Sequence, residues 1–254
     1  MNHTRPRRII FATSAPSAAG SSSGDVRAAG TFTEYHPEQT LSEQSSRVRV
    51  TVEAVIYVVL GALAILTRFW DLSTRALHHD ESLHAYFSWL YAVGQGYVHD
   101  PLMHGPTLFH ADALAFLLFG DNDYVSRIWP ALLGVILVLL PALLRGPNQL
   151  GRWGALACSV FLLLSPSMLY YTRYIRHDPF VLVTTLTIVI ACLRYMEKPE
   201  RRWVITVGIM AGLLFATMEV SFIVAFILVT FVLGVVTWQV SRAAFGVVAG
   251  AGGG

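Results

Sequence analysis

The stretch Val52–Phe69, VEAVIYVVLGALAILTRF, decides the fold. It is apolar almost throughout, and a membrane span needs about 20 such residues. Four further blocks repeat the pattern: Tyr124–Leu144, Trp153–Tyr171 with Pro166 in its outer part, Pro179–Met196, and Trp203–Val240. The last block holds 38 residues and a single acid, Glu219. As one helix it would run about 57 Å, too long for one crossing. It therefore reads as two spans with a tight turn near Glu219, although neither Gly nor Pro marks the turn. Two shorter blocks, Glu81–Val93 and Thr107–Phe119, suit interfacial helices better than crossings. The expected fold is all-α: a polytopic membrane protein with about six transmembrane helices and two juxtamembrane helices in the first outer loop.

Composition agrees. Charged residues make up 13% of the chain and hydrophobic ones 54%, whereas about a quarter of a soluble domain is charged. Mean hydropathy is +0.55. The net charge of +2 matters less than where the charges lie. Residues 1–47 are polar and read as a disordered tail. Ile9-Ile10-Phe11-Ala12 is too short for a signal-peptide core. Residues 48–242 form the membrane module, and 243–254 are a glycine-rich tail with the look of a truncation. Cys158 and Cys192 both fall in apolar blocks, which argues against a disulfide scaffold.

Basic residues set the expected orientation. With the N-terminus cytoplasmic, Arg47, Arg49, Arg145, Arg152, Arg194, Lys198, Arg201, Arg202 and Arg242 all fall inside. Residues 70–123, residues 172–178 and Glu219 then face the extracytoplasmic side. Arg173 and Arg176 break the rule there, and charge at a membrane boundary invites a functional reading.

Three outer segments carry the chemistry. The first is His78-His79-Asp80-Glu81-Ser82-Leu83-His84. If Asp80 opens a helix, His84 shares its face four residues on; the plainer reading is that Asp80 caps that helix. The second runs from His99 through His104-Gly105-Pro106, either a bearer of exposed polar groups or a solvated turn. The third is Arg173-Tyr174-Ile175-Arg176-His177-Asp178-Pro179, where two arginines beside an acid suit a phosphate. Asp178 can also cap the span that follows. Glu219 is a lone acid, in a site or simply at a turn. These Asp, Glu and His side chains could ligate a divalent ion, Asp80 and Asp178 above all, but no metal motif is present.

The ordered set resembles the C-type glycosyltransferases that use polyprenyl-phosphate sugars, among them protein O-mannosyltransferases and the lipid A aminoarabinose transferase. It is also similar to bacterial and archaeal membrane proteins linked to N-glycosylation. The likeness covers residues 52–240. It rests on Asp80-Glu81 after the first span, His104-Gly105-Pro106 before a short apolar helix, and Tyr124-Val125-Ser126-Arg127 leading into the second span. Ser165-Pro166, Arg173 to Asp178, Gly208, Gly212 and Thr217-Met218-Glu219 complete it.

The resemblance implies sugar transfer from a polyprenyl-phosphate carrier to a protein, lipid or glycan acceptor on the extracytoplasmic face. Asp80 would be the base or orienting acid, Glu81 and Asp178 the other catalytic acids. His79, His84, His104, Arg173, Arg176 and Glu219 would bind substrate. The resemblance names no definite cofactor, and a divalent metal is compatible. Nucleic acid is not an expected partner; the bilayer is. The alternative is a non-catalytic, flippase-associated subunit or truncated paralogue that binds lipid-linked sugar without transferring it.

Overall fold

The computed structural model describes residues 37–98 and 103–251, with side chains between 52 and 242. Among these residues every regular element is helical. In order they are α1 Pro37–Phe69, α2 His79–Ala92, α3 Thr107–Phe119, α4 Ile128–Leu139, α5 Gly151–Leu164, α6 Pro166–Tyr171, α7 Asp178–Glu197, α8 Arg201–Phe215 and α9 Val220–Ala251. Short 3-10 turns, Val125–Arg127 and Leu140–Leu144, extend α4 at both ends. α1 begins within the stretch expected as tail, and α9 runs into the glycine-rich end. The rest of the expected tail, His99 of the second chemical segment and the last three glycines lie outside the described residues. The described residues from Ser46 onward form one compact unit, and the candidate site belongs to it.

Among the described residues four segments are long and apolar enough to cross a membrane: Val52–Phe69, Val125–Leu144, Asp178–Glu197 and Val220–Arg242. Six are expected from the sequence, and the two that fall short do so for local reasons. Trp153–Tyr171 is split because Ser165 is extended (ψ 119°) and Pro166 opens a new helix; proline cannot continue the hydrogen-bond ladder. α8 stops after 15 residues at Phe215. The turn expected near Glu219 is present, between Phe215 and Val220.

Apolar cover shows which solvent the molecule is built for. Leu60 and Ala64 of α1 meet Val135 and Val138 of α4 and Leu163 of α5 in one core. Leu108, Ile175 and Phe180 join α3 to the start of α7 in a second, with Trp129 and Leu133 of α4 against them. A third, of Ala115, Phe116 and Val125, seats α3 on α2 and the entry to α4. Yet Val55, Val58, Leu63, Ile65 and Leu66 of α1 stay exposed, and so do Phe222, Phe226, Phe231 and Trp238 of α9. Only 6% of the α9 span is buried within the protein. In water such surface would drive aggregation, whereas lipid solvates it. The chain is an integral membrane protein.

Two glycines permit close approach where the site is assembled. A Cβ on Gly134 of α4 would lie 2.5 Å from Thr172 Cβ, so only glycine lets the buried segment after α6 sit on α4. A Cβ on Gly105 would lie 2.2 Å from the Ala216 carbonyl oxygen.

Candidate active site

The segments expected to converge do so, around a buried ion pair. Glu81 lies in the first turn of α2 and has no exposed surface. Arg127, at the entry to α4, forks onto it, Nε to Oε1 at 2.9 Å and Nη2 to Oε2 at 2.9 Å. The amides of His78 (3.0 Å) and Ile175 (3.2 Å) also donate to it. Burial pushes the Glu81 carboxyl up, but the Arg127 fork and the two amides outweigh it and hold the group below its ordinary value. Arg127 also donates to the carbonyls of Leu72, Arg75 and Ala76. One pair thus ties together the α1–α2 connection, α2, α4 and the segment before α7.

Asp80 is left in a different state. His78 is the N-cap of α2, and it is Glu81 that reaches back to the cap amide, as in a capping box. Asp80 is half-buried, and its side chain makes no hydrogen bond or ion pair among the described residues. Its charge still reaches His84 and Tyr174. His79, beside it, is exposed.

On one side of the ion pair lies a cavity of about 350 Å³, lined by Asp71, Leu72, Arg75, Arg127, Tyr170 and Arg173 among others. Arg75 is half-exposed, reaches Glu81 Oε2 at 3.4 Å, and packs its guanidinium against the rings of Tyr170 and Tyr174, 5.2 and 5.5 Å from their centres. Arg173 Nη2 donates to the carbonyls of Trp70 (2.6 Å) and Asp71 (3.2 Å) at the end of α1. An open apolar groove also borders Arg173, lined by Leu66, Thr67, Trp70 and Leu169.

On the other side stand three histidines. His177 is buried between His84 and His104, with ring centres 5.2 and 5.3 Å away. Burial first, then the neighbouring histidines, lowers His177 to about 3, against the opposing hydrogen bond to Gly105 O at 3.1 Å. Burial and His104 likewise lower His84 to about 4. Both are neutral imidazoles near pH 7. His104 Nδ1 meets Glu219 Oε2 at 2.7 Å. The backbone around them doubles the link: Gly105 N donates to Thr217 O, and Thr107 N and Oγ1 donate to Ala216 O. A clasp therefore joins the loop before α3 to the α8–α9 turn. Arg176 pairs with Asp178 at 3.0 Å.

Of the expected site residues, Asp80, Glu81, His84, His104, Arg176, Asp178 and Glu219 gather around the first turn of α2 and the α8–α9 turn. Arg173 belongs to the cavity instead. Arg75 and His177 are not among the residues expected from the sequence. Arg75 carries the signal that marks Arg173, an arginine in a segment expected on the outer face, where the basic-residue rule predicts none. His177 sits inside the third chemical segment, but nothing local reveals that it is buried. Among the described residues no three His, Cys, Asp or Glu side chains gather at metal-binding spacing, Asp80 and Asp178 included.

Residues 103–251, more than half of the chain, match the family described as dolichyl-phosphate-mannose-protein mannosyltransferase. The chain belongs to that family. Membership makes it a membrane glycosyltransferase of the GT-C type. The matched segment of this mannosyltransferase-family protein contains Arg127, Arg173, Arg176, His177, Asp178 and Glu219; Arg75, Asp80, Glu81 and His84 precede it. No curated protein matches the chain.

Proposed function

We propose that the protein transfers a sugar from a polyprenyl-phosphate carrier to a protein, lipid or glycan acceptor on the extracytoplasmic face, with the N-terminus cytoplasmic. The observation that carries this reading is the contrast between the two adjacent acids of α2. Glu81 is saturated by Arg127 and two amides, while Asp80 stands beside it half-buried and without an ion pair among the described residues. A buried, fully satisfied carboxylate is a poor base, whereas an unpaired one at the edge of a site can take a proton.

In this reading the acceptor oxygen attacks the anomeric carbon and its proton passes to Asp80. The bond from that carbon to the phosphate oxygen breaks, and the electron pair leaves with the polyprenyl phosphate. A single displacement of this kind inverts the anomeric carbon. Arg75 and Arg173 face the cavity and would hold the departing phosphate. Glu81 acts through position, fixing the first turn that presents Asp80. Neutral His84 and His177, with His104, would offer donors and acceptors to hydroxyl groups. His79 stands at the exposed rim. Asp178 and Glu219 hold Arg176 and His104 in place.

The test is transfer from a polyprenyl-phosphate sugar by the purified chain in lipid nanodiscs. Asp80→Asn should lower the rate by about 10²-fold or more, the usual scale of general-base catalysis, with binding of the carrier phosphate kept. Unchanged transfer in that variant removes Asp80 from the chemistry. Carrier binding without transfer in the wild-type chain points instead to a non-catalytic, carrier-binding subunit.

A further inference from the structure

Arg68 closes the apolar part of α1 and has no exposed surface. It meets no carboxylate among the described residues. Its Nη1 donates to Thr67 Oγ1 at 2.8 Å, its Nη2 donates to the Leu162 carbonyl at 3.0 Å, and its Nε has no partner. Sealing a guanidinium away from water without an anion costs more than two such bonds return. The chain keeps it there, so the position of those two bonds is informative.

Leu162 sits in the last turn of α5. In a continuous helix its carbonyl would accept from the backbone N–H of residue 166. Residue 166 is proline and has no N–H, and Ser165 before it is extended. The carbonyl is therefore left over by the α5–α6 break, and Arg68 supplies the missing donor. A charged donor to a stranded carbonyl in an apolar setting is a strong bond, because no water competes for either group.

The second bond points to what the first one holds. Thr67 lines the apolar groove together with Leu66 and Trp70 of the same α1 end, and Leu169 of α6 lines it from across. Leu169 and Arg173 also line the arginine cavity, so cavity and groove share a wall. Arg68 thus bonds to a residue of one wall and to the helix break that sets the other. A phosphate in the cavity places its lipid tail at the mouth of this groove.

We infer that Arg68 is a positioning residue for the lipid carrier: by tying the Leu162 carbonyl at the Ser165-Pro166 break to α1, it fixes the width of the groove that takes the polyprenyl chain. This rests on the carrier reading proposed above. Arg68 touches neither phosphate nor sugar, and its effect is on the tail.

The experiment compares two ligands on the full chain in detergent, a long-chain polyprenyl phosphate and a short-chain phosphate ester whose tail ends before the groove. Arg68→Met should weaken the long-chain ligand about tenfold, the scale of one charge-assisted hydrogen bond. The short ester should keep its wild-type affinity. Arg68→Lys, which can still donate to Leu162, should recover part of the loss. Pro166→Ala, which relaxes the same break, should weaken the long-chain ligand too, and adding Arg68→Met should then cost little more. Equal loss for both ligands in Arg68→Met, or no loss for the long one, overturns the inference. So does a full multiplication of the Arg68 and Pro166 effects. If Arg68→Met does not fold, Arg68→Lys and Pro166→Ala carry the comparison, and unchanged long-chain affinity in both overturns it. Failure of the wild-type chain to bind either ligand defeats the carrier reading itself, and the inference with it.

Discussion

Adjacent residues with the same chemistry can hold opposite roles, and Asp80 and Glu81 show how. One position along α2 turns a side chain by about 100°. That rotation carries Glu81 onto Arg127 and leaves Asp80 at the site edge. The buried pair predicts an asymmetry. Arg127→Met leaves the buried carboxylate only two amides and the longer Arg75 contact and should cost about 3–5 kcal/mol, whereas changing both partners to apolar residues of similar size should cost far less. Thermal unfolding of the single and double variants decides it; equal losses would place the worth of the pair elsewhere. Asp112 on α3 makes a second case. It is fully buried and neither carboxyl oxygen has a partner, so burial pushes its pKa well above the ordinary value. Its place inside the apolar block Thr107–Phe119 marks it as unusual, but the lack of a partner is visible only in the packed structure.

At the scale of elements, the clasp between the loop before α3 and the α8–α9 turn assembles the histidine side of the site. It uses Gly105 where a side chain has no room, and His104 in a left-handed conformation (φ 66°). Gly105→Ala should push the loop off Ala216, break the His104–Glu219 contact, and lower transfer at least about tenfold, while α1 and α4–α5 stay folded. Hydrogen exchange at residues 103–107 and 216–219 reads the outcome directly. Protection that is unchanged there means that the clasp is not what orders the loop. Helix limits show how far the sequence reaches at this scale. Thr107–Phe119 is read from hydropathy alone with the bounds that the structure has. The third expected span is not one helix, because Pro166 and the extended Ser165 end α5.

The whole molecule is poised between two opposite titrations. His84 and His177 have folded pKa values of about 4 and about 3, below an ordinary value near 6.5. Between those limits the unfolded chain binds more protons, so stability is full above about pH 6.5 and falls as the pH drops toward 3–4. The charges facing this pair are Asp80, His104, Arg176 and Glu219. Asp112 has the reverse sign. Its folded pKa is raised, so its contribution is present below the ordinary carboxyl value and is lost as the pH climbs through the folded one. Unfolding temperature against pH should therefore show both slopes. His177→Phe should flatten the acid one, and Asp112→Asn the other. An acid slope that survives His177→Phe together with His84→Phe would mean that other groups drive it.

Sequence alone determined what bulk chemistry determines. Apolar runs fixed the helical membrane class, and the length of the last run, too great for one crossing, required the turn near Glu219. Those signals are local, because hydropathy and proline act on the residues that carry them. The tertiary structure decided the rest. It chose Glu81 over Asp80 for the buried pair, placed His177 between two other histidines, faced Arg75 and Arg173 into one cavity, and set an unpaired Arg68 on a stranded carbonyl. Each of these depends on partners dozens of residues away in the chain. Burial and pairing are properties of packed neighbours, and no single stretch of sequence contains them.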